Sequence, residues 1–90
     1  MQVIKSVYSL KNDIVPNSFT VEAGRPVRFE IKALDTAYGC MNTILIQGLW
    51  NKPIRIVKGQ DIVMEFIPNK PGNYVIACAM GVPRGTVIVK

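Results

Sequence analysis

Sulfur supplies the residues of this chain best suited to chemistry. Cys40 stands in Gly39-Cys40-Met41-Asn42, and Cys78 in Ala77-Cys78-Ala79-Met80-Gly81, so each thiol has a methionine within two positions. Thiolates and thioethers prefer soft ions such as Cu(I), whereas hard ions take carboxylates and water. There is no histidine among the 90 residues, so the commonest metal ligand and general base is missing. Three readings of the cysteine pair are open: a soft-metal clamp, a disulfide, or two small apolar residues of a core, where free cysteine is often found.

Catalysis finds little support beside these sulfurs. Neither cysteine has an identifiable base, and there is no CxxC and no glycine-rich phosphate loop. The six carboxylates are spaced as strand-face or turn residues. The chain is therefore expected not to be an enzyme as an isolated domain. Eleven Lys and Arg against six Asp and Glu leave a net charge of +5. The basic residues are scattered and no two are adjacent, which lacks the local density that phosphate binding uses. No nucleic-acid partner is expected; a diffuse positive charge suits an acidic protein face.

The elements that must position the sulfurs follow a period of two. Val27-Arg28-Phe29-Glu30-Ile31-Lys32 alternates strictly, as a half-buried strand does. Further strand signals cover Gln2–Leu10, Phe19–Glu22, Thr43–Gln47, Pro53–Val57, Asp61–Ile67, Tyr74–Cys78 and Thr86–Val89. Turn residues separate them, including a type II signature at Asn69-Lys70-Pro71-Gly72. Thr43–Gln47 is apolar enough to be buried on both faces. About eight short strands with turns every eight to twelve residues predict an all-β Greek-key sandwich or barrel, residues 1–90 forming a single domain. The longest stretch without a formal charge, Thr36 to Asn51, falls short of the ~20 apolar residues of a membrane helix. The N-terminus has no apolar secretory core, and a place within a larger membrane protein stays open.

On this map Cys40 precedes the strand near Thr43, and Cys78 ends a strand before the loop Ala79–Arg84. In a Greek-key sandwich two such sites can meet at one pole. Met80, two positions after Cys78 in that loop, is the methionine placed to ligate. Met41 adjoins Cys40, and neighbours on an extended chain point apart, so packing is its expected role. Met64 alternates within a strand and reads as core. Leu49 and Trp50 are expected in an apolar turn, capping the core or forming a docking patch. Pro83 and Arg84 would shape and charge the surface beside the loop, or simply be solvated.

The pattern carries a resemblance. Ile14-Val15-Pro16-Asn17-Ser18-Phe19-Thr20-Val21-Glu22-Ala23-Gly24-Arg25-Pro26-Val27 is similar to the opening segment of cupredoxin-like domains. Glu65-Phe66-Ile67-Pro68, Pro71-Gly72-Asn73-Tyr74 and Cys78-Ala79-Met80-Gly81 through Arg84-Gly85-Thr86 resemble their C-terminal copper loop. Relatives by this resemblance include Cu(I)-binding domains of Gram-positive bacteria: the N-terminal metal-binding domain of a copper-exporting P-type ATPase and a membrane-anchored copper chaperone. A blue-copper site needs two histidines, a cysteine and an axial methionine, and Cys40 stands roughly where the first histidine would be expected.

The resemblance implies one or two Cu(I) ions held by Cys40, Cys78 and Met80 and passed on by ligand exchange. Such relatives tend to read Cys-x-Met-x-Met; Val82 at the second methionine implies a weaker second site. It also implies a copper chaperone or copper-exporting ATPase as partner, a cytoplasmic location at the membrane face, and attachment to the membrane only through a parent protein. The alternatives are a stand-alone or anchored chaperone and, from another class, a structural or adhesion sandwich with a Cys40–Cys78 disulfide. Trp50 between the cysteines resembles the immunoglobulin pattern. That fold, however, places Tyr two residues before its second cysteine, where this chain has Ile76.

Overall fold

The computed structural model describes residues 1–39 and 42–90. Their nine strands are β1 (Gln2–Ser9), β2 (Asp13–Val15), β3 (Ser18–Val21), β4 (Val27–Ala33), β5 (Thr43–Ile46), β6 (Trp50–Arg55), β7 (Asp61–Phe66), β8 (Gly72–Ala77) and β9 (Pro83–Val89). They form two sheets, in the orders β2-β1-β4-β7 and β3-β9-β8-β5-β6. Most neighbours are antiparallel, but β1 runs parallel to β4 and β3 parallel to β9. The expected all-β architecture is present. No helix among the described residues is long and apolar enough to cross a membrane.

Alternation decides which side chains meet between the sheets. Val27, Phe29, Ile31 and Ala33 of β4 point inward, as do Ile62 and Met64 of β7. Opposite them lie Ile44 and Ile46 of β5, Ile76 of β8, and Val87 and Val89 of β9. Each of these side chains contributes about 1.5–3 kcal/mol by leaving water, except Ala33, which is smaller. Phe19 meets Phe29 with ring centroids 5.2 Å apart and planes tilted by 60°. Met64 is fully buried, as its strand position implied.

Three local expectations need adjusting. The ninth strand, β2, has only three residues, too few for alternation to register. Trp50 starts β6 instead of sitting in the preceding turn, and both Leu49 and Trp50 pack against the core. β5 is inward on Ile44 and Ile46 but only half-covered at Leu45, so it is not buried on both faces.

The strand directions bring four loops to one end of the sandwich. The β1–β2, β4–β5, β6–β7 and β8–β9 connections all lie there. Backbone bonds knit them together: Ala37 donates to the Ile56 carbonyl (3.1 Å), Ile56 to Asn42 (3.0 Å) and Gly59 to Ala33 (3.0 Å).

Where β9 leaves this end it passes close under the chain at Asn17, whose carbonyl accepts the Thr86 N–H at 2.9 Å. A Cβ at Gly85 would overlap that same carbonyl. Because the obstacle is backbone, it cannot swing aside as a side chain would. Gly85→Ala is therefore expected to cost about 2–3 kcal/mol and to lower the melting temperature by roughly 10 °C or more. An unchanged thermal melt would show that the crossing at Asn17 is looser than this.

Candidate metal centre

Cys78 follows the last residue of β8 and opens a five-residue hairpin tip. Its N–H donates to the Val82 carbonyl at 3.1 Å, and its own carbonyl accepts the Gly81 N–H at 2.9 Å. Gly81 has φ +84°. This bonding, with a left-handed residue at the fourth position, is that of a three-residue hairpin loop closed by a glycine bulge. Glycine reaches that conformation without the roughly 1–2 kcal/mol penalty of other residues. The local sequence thus turns the chain within Ala79-Met80-Gly81 and sends it into β9 at Pro83.

The tip separates the two sulfurs by environment. Cys78 is 1% exposed and free, whereas Met80 at the apex is 74% exposed. One donor lies at the base of the turn and the other stands in solvent. The Ala79 N–H between them donates to Thr43 Oγ1 at 2.9 Å, tying the tip to the first residue of β5. That tie continues the antiparallel β5–β8 register, in which Leu45 faces Ala77 and Ile46 faces Ile76. On the far side of Thr43, Asn42 donates to the Gly39 carbonyl at 3.3 Å. Cys40, the other thiol expected to ligate, lies outside the described residues, as does Met41.

Among the described residues no three His, Cys, Asp or Glu side chains gather closely enough to hold a metal. The two described sulfurs of the hairpin tip, Cys78 and Met80, are of the kind that prefers soft ions. Val82, where a second loop methionine would stand, is 39% exposed and offers no donor.

Arg84 departs from its expected role. It belongs to β9 and its side chain is fully buried, so it does not charge the surface beside the tip. Its Nη1 lies 2.9 Å from Asp13 Oδ1, and its guanidinium sits 5.7 Å from the centre of the Tyr8 ring. Asp13 holds φ +57°, a conformation aspartate tolerates better than most residues. The pair fastens the start of β9 to the start of β2, joining the two sheets just below the hairpin tip. Burial raises the Tyr8 hydroxyl pKa above 10.0, a shift that the nearby Arg84 charge opposes and those of Asp13 and Asp35 reinforce.

Sequence reasoning passed over Thr43, Gly81 and the Asp13–Arg84 pair. Gly81 had a readable signal, a glycine between two strand patterns. Thr43 had none, since its hydroxyl acts 36 positions away, and Asp13 and Arg84 are 71 positions apart.

The family model described as a cupredoxin-like domain matches residues 3–89. Solved structures with similar folds include an apo copper binding protein determined by NMR, with a TM-score of 0.77 at 19% identity over 98% of this chain and 86% of that one. Another is the metal binding domain of the Streptococcus pneumoniae D39 Cu(I)-exporting P-type ATPase CopA with Cu(I), at 0.77 and 20% identity over 98% and 84%. Dithionite-reduced auracyanin from the photosynthetic bacterium Roseiflexus castenholzii follows at 0.76 and 17% identity, over 100% and 98%. At these identities the likeness is one of fold. A search of curated proteins finds no match.

Two outcomes test the anchor beneath the tip. Asp13→Asn keeps the backbone preference but removes the charge facing a buried guanidinium, and is expected to cost about 2 kcal/mol in denaturant unfolding. Glu22→Gln, which breaks the exposed pair with Arg25, should cost under about 0.5 kcal/mol. Equal losses would mean that Arg84 does not depend on Asp13. The raised Tyr8 pKa contributes stability that is complete below pH 10.0 and is lost as pH rises through the folded value. Tyr8→Phe is expected to flatten that alkaline decline, and an unaltered decline would remove Tyr8 from it.

Proposed function

We propose that this chain, which belongs to the cupredoxin-like domain family, binds Cu(I) as cargo through Cys40, Cys78 and Met80 and passes it on by exchange of sulfur ligands. The observation that carries this reading is the buried free thiol of Cys78 beneath an exposed thioether on one hairpin tip, in a chain without histidine. A His₂Cys blue-copper site cannot be assembled from such a chain. Cys40 enters by connectivity. Only two residues lie between it and Thr43, a span of at most about 11 Å, and the Thr43 hydroxyl already touches the tip.

Cu(I) is a closed-shell soft ion that two thiolates satisfy in a linear or bent arrangement. Cys78 retains the ion from the shielded side, and Met80 offers a weak, solvent-facing donor that an incoming thiol displaces. A second ion, bridged by the thiolates, would rely on Met80 and find no donor at Val82. Ligand exchange of this kind is carriage without turnover. The metal-binding domain of a copper-exporting P-type ATPase, on the cytoplasmic face where thiols stay reduced, is the setting we propose. The fold shared with the Cu(I)-carrying exporter domain supports it. A stand-alone or anchored chaperone would use the same ligands, and the full-length gene product separates the two by the presence or absence of membrane helices.

Titrating the reduced protein with Cu(I) against a chromogenic competitor tests the ligand set. Cys40→Ser and Cys78→Ser are each expected to lose more than the roughly 10–100-fold that an outer-shell change costs, while Met80→Leu should mainly affect a second equivalent. Affinity should rise with pH, since binding requires deprotonated thiols. Wild-type affinity in both cysteine variants would overturn the assignment, and an intense blue Cu(II) complex would contradict it.

A further inference from the structure

Positive charge is unevenly spread over this molecule. Between Asp35 and Asp61 the chain has Lys52, Arg55 and Lys58 and no carboxylate, so +3 of the net +5 falls within 25 residues. Elsewhere five of the eight bases have an acidic partner or cross-strand neighbour, while Lys11, Lys70 and Lys90 join no ion pair among the described residues. Arg25 pairs with Glu22, Arg28 with Glu30 and Glu65, and Arg84 with Asp13. Across the outer face of the four-stranded sheet, Lys5 lies opposite Glu30 and Lys32 opposite Asp61. Lys52, Arg55 and Lys58 are exposed and join none of the ion pairs among the described residues.

Their place in the fold gives the imbalance a direction. β6 is an edge strand, so Lys52 and Arg55 line an open margin of the five-stranded sheet. Arg55 faces Thr43, the residue that holds the ligand tip. Lys58 follows in the loop at the ligand end, where its N–H donates to Thr36 Oγ1 at 3.0 Å. That end also exposes apolar side chains among the polar residues of its loops, which include Lys11, Asn12, Asp35, Thr36 and Gln60. Tyr38 is 72% exposed and Met80 74%, with Val57 and Val82 exposed beside them. The result is a partly apolar end around the hairpin tip with a cationic flank along β6, the pattern of an interface centre with a charged, steering rim.

We infer that this end and its β6 flank form the docking surface for an acidic protein that presents a thiol to the ligand tip; the inference rests on the copper-carrier reading above. Charge of either sign, or Pro53 alone, would protect an edge strand from unwanted pairing, but edge protection does not account for a margin of one sign. Three cations spaced three residues apart are also fewer than the polybasic clusters that hold anionic membranes. They fall short as well of the 6–10 phosphate contacts of a strongly salt-dependent nucleic-acid site. A protein surface with a few carboxylates around an apolar centre fits them.

Two synthetic peptides with the same cysteine pair, one flanked by glutamates and the other by glutamines, supply defined probes. In the copper-free, reduced protein the glutamate peptide is expected to perturb NMR resonances of β6 and the ligand end, and to bind about tenfold more weakly at high salt. The triple variant Lys52→Glu, Arg55→Glu and Lys58→Glu, checked for an unchanged thermal melt, should lose that binding yet keep its Cu(I) affinity. Transfer of Cu(I) from it to the glutamate peptide should slow about tenfold or more. Equal binding of both peptides, perturbation centred on another face, or an unaffected triple variant would each overturn the inference. So would anionic phospholipid vesicles that bind the wild type more strongly than the peptide does and are released by the triple change. Failure of the wild type to bind Cu(I) would instead sink the carrier reading, and the copper-free peptide experiment would still report on the surface.

Discussion

The ligand end depends on the antiparallel pairing of β5 with β8. Leu45 opposite Ala77 and Ile46 opposite Ile76 fix where β8 stops relative to where β5 starts. Ile46 and Ile76 are fully buried, so a slip by one residue would turn both out of the core and reverse the facing of every side chain on the strand. Apolar burial in the middle of the sandwich thereby sets the position of polar and sulfur groups at its edge. The Ala79–Thr43 bond extends the same register beyond the last strand pair, and through it the Cys78 tip and the first residue of β5 are held side by side.

Below that register sits an unusual way of bracing a loop. Arg84, immediately after the tip, could have been a surface charge; instead it is buried against Tyr8 and paired with Asp13. Removing a guanidinium from water is costly unless its partners are well placed. The pair therefore does little as a source of net stability and more as a position marker, since only one approach of β9 to the start of β2 satisfies it. Gly85 next to it and the Asn17 carbonyl fix the same approach sterically. Together they set the path of the strand that carries the hairpin's second arm.

Much of this architecture was legible in the amino-acid sequence, because burial on one sheet face writes itself as alternation. Val27–Lys32 and Asp61–Ile67 show that pattern plainly and form β4 and β7 with shifts of no more than one residue. β2 was illegible, being shorter than the period needs, and β9 begins earlier than its apolar run suggests because Pro83-Arg84-Gly85 looks like a loop. The residues that position the ligand tip were legible only where they act locally. Gly81 works through its own backbone and could be read as a turn. Thr43, Asp13 and Arg84 act on partners far away in the chain, and no local pattern distinguishes a hydroxyl or charge that faces solvent from one that closes a tertiary contact. Arg84 is the clearest case: next to a loop, a cation reads as exposed until the fold places a carboxylate under it.

A carrier must hold its ion against loss to solvent and still release it to a partner, and in the proposed reading the hairpin would divide these tasks between residues two positions apart. The Cys78 sulfur, at the shielded base, is reached by a competing ligand only if the tip moves or the exchange begins elsewhere. Met80, at the exposed apex, carries a neutral thioether that a thiolate can replace without leaving an uncompensated charge behind. In the carrier reading proposed above, exchange would start at Met80 and end at the Cys78 sulfur. That order would require a partner to approach over the hairpin tip, since an approach from below would meet the braced strands. Histidine would not serve the same division: a neutral imidazole suits a wider range of metals and oxidation states. In the carrier reading the sulfur donors would favour soft cargo, and the glycine-closed turn would give that cargo one side to enter and leave.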